Sequence, residues 1–65
     1  MSDYDTIAER LAAIEEELRD LAYERLREAA RDPDSDEGVD AEREEKRVNS
    51  ARRAIAKAIN TLRDT

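Results

Sequence analysis

An all-α fold, a two-helix antiparallel hairpin that dimerises into a four-helix bundle, is what this 65-residue sequence predicts, on three observations. Two long stretches repeat apolar residues at spacings of three and four, the period of one helix face. Ala, Glu, Arg and Leu dominate a composition in which 46% of residues are charged and 3% aromatic, the make-up of helical hairpins and coiled coils. The one Pro and the one Gly both fall in a single acidic interval between the stretches, where a chain reversal uses them. High charge and low hydrophobicity also describe disordered chains, and the sustained periodicity decides for helix.

The first element is a helix over about 3–31. Tyr4, Ile7, Leu11, Ile14, Leu18 and Leu21 lie on one stripe, which Ala22, Leu26 and Ala29 continue with some drift. Ser2 with Asp5, or Thr6 with Glu9, supplies a capping pattern at its start. Pro33 ends it, because proline restricts the residue before it and cannot continue the hydrogen-bond ladder.

The second element is an acidic turn, 32–40. Asp32, Asp34 and Asp36 with helices on both sides invite comparison with a calcium-binding loop, whose carboxylates sit at its first, third and fifth positions. The glycine that such a loop needs at its sixth place falls at the seventh, Gly38, and its final bidentate acid is replaced by Arg43. The three aspartates are therefore weak metal candidates, and the expected role is a turn in which Gly38 takes a positive φ and Asp40 caps the next helix. No metal or cofactor is expected: the chain has no His and no Cys, the ligands of zinc, haem and iron–sulfur centres.

The third element is a helix over about 41–63, with Val48, Ala51, Ile55, Ala58, Ile59 and Leu62 on a narrower stripe. Ala54, Ala56 and Ala58 would allow close approach of a neighbour. If the chain reverses near Asp36, residues whose numbers sum to about 72 lie side by side: Leu21 with Ala51, Leu18 with Ala54 or Ile55, Ile14 with Ala58 or Ile59, and Leu11 with Leu62. Helix 1 would then outrun helix 2 and leave Tyr4 and Ile7 uncovered. Two charges interrupt the apolar stripes, Arg25 and Glu44. They are expected to face each other as a partly buried ion pair that fixes the register.

Two helices cannot enclose their own stripes, since each has one neighbour. A second copy supplies the missing surface, so a homodimer is expected, with a hetero-assembly as the rival. The expected dimer core is Ile7, Leu11, Ile14, Leu18, Leu21, Val48, Ile55, Ile59 and Leu62.

Charge is unevenly spread. Residues 1–40 hold 14 acids and 5 bases, whereas residues 41–65 hold 4 acids and 7 bases. The net charge of −6 argues against a general polyanion binder. Even so, Lys46, Asn49, Arg53, Lys57 and Asn60 share an arc of about 80° opposite the second apolar stripe, a candidate nucleic-acid surface. No aromatic residue interleaves it to stack on bases. Tyr23 projects away from Leu11 and Leu18 and is a candidate protein contact. Glu15, Glu16 and Glu17 diverge around the helix and form no catalytic constellation.

The run IEEELRDLAYERLREAA, Ile14 to Ala30, is similar to the first helix of the all-helical chorismate mutases. In that pattern an acidic residue follows an apolar one, and an Arg about ten positions later faces the active site; Arg25 stands in that place. The similarity covers about a quarter of the chain. Ala8 occupies the position of the family's earlier Arg, and both the lysine expected after the first helix and the third helix are missing. No mutase site is expected, and the chain is read as a non-enzyme.

The expected function is that of a small acidic homodimeric bundle, a structural or interaction module whose partners are itself and another protein. The alternative is a nucleic-acid-associated regulator in a Rop-like architecture, using the basic outer stripe of helix 2. The longest apolar run, Leu11 to Ile14, is far too short for a membrane span, so a soluble, cytoplasmic protein is expected.

Overall fold

The computed structural model describes residues 2–63. Two helices, α1 (Asp3–Arg31) and α2 (Asp36–Arg63), pack antiparallel as a rod with extents of 48 × 14 × 11 Å, and the described residues contain no strand. The fold is an all-helical hairpin. None of its helices is long and apolar enough to cross a membrane, among the described residues.

Ser2 starts α1: its hydroxyl accepts from the Asp5 N–H at 3.2 Å, and its carbonyl accepts from the Thr6 N–H at 3.2 Å. Asp3 and Asp5 in the first turn and Arg31 in the last complement the helix dipole. Thr6, the alternative cap, lies inside the helix. At the far end Asp32 leaves helical geometry (φ −150°, ψ 77°) and Pro33 follows, as the steric rule requires.

The connection is shorter than the sequence suggests. It spans 32–35, not 32–40, and α2 begins at Asp36 instead of near residue 41. Ser35 rather than Asp40 is the cap: its hydroxyl accepts from the Gly38 N–H at 2.9 Å and donates to the Asp32 carbonyl at 2.8 Å. Asp36 and Glu37 then occupy the first turn, where acids are favoured. Gly38 does not take a positive φ. It is helical and buried, because the end of α1 folds back against it. A Cβ there would collide with the Asp32 carbonyl oxygen and lie 2.9 Å from the Asp32 carbonyl carbon and 3.2 Å from Pro33 Cα.

The early start of α2 moves the register. Glu15 pairs with Arg52 and Arg25 with Glu44, so level residues sum to 67 along the middle of the seam and to 69 on one flank, not to 72. That displacement is near one helical turn. It also makes the helices nearly equal, at 29 and 28 residues. Helix 1 does not outrun helix 2: Ala8 is fully buried, so α2 reaches that level. Ile7 is exposed because of the side it occupies, whereas Tyr4, one turn before Ala8 in the seam's heptad, is exposed at the open end of the rod.

The seam follows a heptad pattern. On α1 it comprises Ala8, Leu11, Glu15, Leu18, Ala22, Arg25 and Ala29, and on α2 Gly38, Ala41, Glu45, Val48, Arg52, Ile55, Ile59 and Leu62, all buried or half-buried. Small residues sit deepest: Ala8, Ala22 and Ala41 are at most 4% exposed, with Gly38 beside them. These, and not Ala54 and Ala56, which are exposed, give the close approach of the helices.

Candidate interaction face

In an antiparallel pair the two flanks of the seam differ. On one flank lie Ile7, Ile14, Leu21 and Glu28 of α1 beside Glu44, Ala51 and Ala58 of α2, each one position before a seam residue. The contacts of Arg25 with Glu44 (2.7 Å) and with Glu28 (3.0 Å) fix that these belong to the same side. The register of that ion pair places Ile7 level with Leu62, Leu11 with Ala58, Ile14 with Ile55, Leu18 with Ala51 and Leu21 with Val48, all summing to 69 as Arg25 and Glu44 do. The face is thus five apolar layers closed at the turn end by an ion pair.

This face is open. Ile14, at its centre, is 43% exposed, and Ile7 45%. Leu11, Leu18, Leu21, Val48, Ile55, Ile59 and Leu62 are half-buried. Of the nine residues read from the sequence as a dimer core, none is buried by the hairpin itself. Ile59 turns to the seam between the helices rather than to the open face.

The opposite flank is polar, through a network absent from the sequence reading. Arg52 donates from Nε to Glu15 Oε1 at 3.1 Å and from Nη1 to Asn49 Oδ1 at 2.8 Å. Asn49 Nδ2 donates to Glu45 Oε1 at 2.6 Å, and Arg19 Nη2 to Glu15 Oε2 at 3.2 Å. Glu15 keeps only 17% of its side chain exposed, and no buried side-chain nitrogen or oxygen among the described residues lacks a partner. Glu15 is therefore a seam residue, unlike Glu16 and Glu17, which are exposed.

Arg52→Met leaves the Glu15 carboxylate with Arg19 alone. The expected loss is about 1–2 kcal/mol, between the surface and buried limits for ion pairs. Glu15→Leu combined with Arg52→Leu should recover most of it, because both charges then leave the seam. Urea unfolding at one fixed protein concentration reads both variants, and equal losses in the single and the double would rule the coupling out.

The other candidates separate. Asp32 caps α1, Asp34 is in the turn and Asp36 opens α2. No group of three or more potential metal ligands occurs among the described residues. The basic stripe is broken up: Asn49 is drawn into the seam network and Lys46 pairs with Glu42 at 3.3 Å. Arg53, Lys57 and Asn60 remain exposed and, with Ala56 and Thr61, line a shallow depression on α2. Tyr23 is exposed on the outer side of α1. Arg25, the residue that carries the mutase similarity, is held by two carboxylates, Glu28 and Glu44.

The chain matches no protein-family model, and neither a curated protein nor a solved structure matches it.

Proposed function

We propose that the protein is an assembly module. Two copies join through the open apolar face into a four-helix bundle, and the bundle presents its charged outer surfaces to another protein. One observation carries this reading: among the described residues the hairpin fully buries nothing larger than alanine, while five layers of aliphatic side chains on one side stay partly exposed, with Ile7 45% and Ile14 43% exposed. Burying such side chains is the main source of folding free energy, worth roughly 1.5–3 kcal/mol for each large one fully removed from water. A hairpin that leaves each of them partly in water lacks part of that term, and a second copy of the same face supplies it. The register ion pair of Arg25 and Glu44 lies at the end of the face, where it limits sliding of one helix along the other.

Folding and association are then one equilibrium, which mass action makes concentration-dependent. Sedimentation equilibrium and far-ultraviolet circular dichroism over one dilution series are expected to show mass and helicity falling together. A monomer that stays helical and melts cooperatively at micromolar concentration would sink the proposal.

A further inference from the structure

We infer that the second copy docks with its turn beside the first copy's turn, so that α1 of each lies over α2 of the other. This rests on the self-association proposed above and specifies its geometry. A two-fold axis along the rod places each layer on itself with the sides exchanged. Leu11 then lies over Ala58 of the second copy and Leu18 over Ala51, large on small in these two layers, while Ile7 over Leu62, Ile14 over Ile55 and Leu21 over Val48 set aliphatic on aliphatic. The reverse arrangement, with turns at opposite ends, sets α1 on α1 and α2 on α2. It stacks Leu11 on Leu18 and Ala51 on Ala58, crowding one side and leaving gaps on the other. Cores fill best where large and small residues face each other.

Charge along the edges points the same way. Glu24, Arg31, Asp40 and Arg47 border the face, are exposed, and form no ion pair among the described residues. With the turns together, Glu24 of one copy comes near the level of Arg47 of the other, and Arg31 near Asp40. Arg25 likewise lies over Glu44, giving alternating signs around that layer. The reverse arrangement brings Asp3 toward Glu24 instead, a repulsion offset by Arg10 toward Glu17, where the arrangement with the turns together has two attractive pairings. The acidic turns do come to one end, but they stay in water, where salt screens them beyond about 10 Å.

The chain has no cysteine, so Asp34→Cys, in the exposed turn, gives a single attachment point for a spin label. Double electron–electron resonance on the labelled dimer is expected to give separations within about 30 Å; the reverse arrangement puts the turns about 60 Å apart, from the helical rise of 1.5 Å per residue. Sedimentation of the same sample separates the outcomes. A monomer overturns the assembly itself, whereas a dimer with the long distance overturns only this geometry. A charge exchange reads the edge independently. Glu24→Arg should raise the dimer Kd about tenfold or more by setting like charges together, and adding Arg47→Glu should bring it back. In the reverse arrangement Glu24→Arg would meet Asp3 and tighten the dimer, so a lowered Kd also overturns the inference.

Discussion

Ile14→Asp is expected to abolish the dimer and, with it, the cooperative helical fold. Ile14 occupies the middle of the five apolar layers, where a second copy would cover it. A carboxylate there would have to lose its water without gaining a partner, at an effective cost of several kcal/mol per ion. Each dimer carries the change twice, once against each copy's Ile55, so association should weaken by at least about 100-fold. The same substitution in a hairpin that stood alone would cost less, because Ile14 is 43% exposed there. Tyr23→Asp is the control: it carries a similar helix-propensity cost but lies on the outer side of α1, and it should leave the dimer unchanged. Sedimentation of both variants at one concentration makes the comparison. Equal behaviour of the two would show that the layered face is not the interface.

Gly38→Ala is expected to destabilise the hairpin by about 1–3 kcal/mol, the usual cost of overpacking. Its sign is informative, because helix propensity alone predicts the opposite. Alanine in a helix interior is worth about 0.5–1 kcal/mol more than glycine. Here the methyl group would run into the Asp32 carbonyl and its neighbour Pro33. Both obstacles are backbone, and the Asp32 carbonyl is already held by Ser35 through its N–H at 3.2 Å and its hydroxyl at 2.8 Å. The turn must open or α2 must shift, and either move disturbs the register that aligns the layers. Thermal melts at fixed concentration test this; a variant more stable than the parent would mean that the turn yields at no cost.

The two helices and their antiparallel packing are readable in the sequence because the aliphatic spacing in each half is unambiguous. Arg25 and Glu44 are readable as neighbours for a simple reason: each interrupts an apolar stripe, so each stands out. The turn is not, because local preferences compete there. Asp40 and Ser35 are both good caps, and glycine after a helix ordinarily signals a left-handed residue. What selects Ser35 is the approach of Asp32 to Gly38, a contact between residues six apart that no local propensity contains. The seam is hidden for another reason. Its deepest positions are Ala8, Ala22, Ala41 and Gly38, which carry little hydrophobic signal, so the brighter aliphatics beside them draw the eye to a face rotated away from the true contact. Glu15 hides within a run of three glutamates, and only the heptad 8–15–22–29 distinguishes it from its neighbours. That same heptad, three alanines and one acid, is the clue that would have found the polar network.

Because the two helices nearly match in length and run in opposite directions, Tyr4 and Arg63 lie at about the same level at one end of the rod. Polypeptides joined to the two termini would leave the rod from one pole, about one interhelical spacing of 8–10 Å apart. With both turns at the other pole, an assembled pair would gather four such attachment points into a single cluster. Weak binding segments carried there would act at high effective concentration on one target.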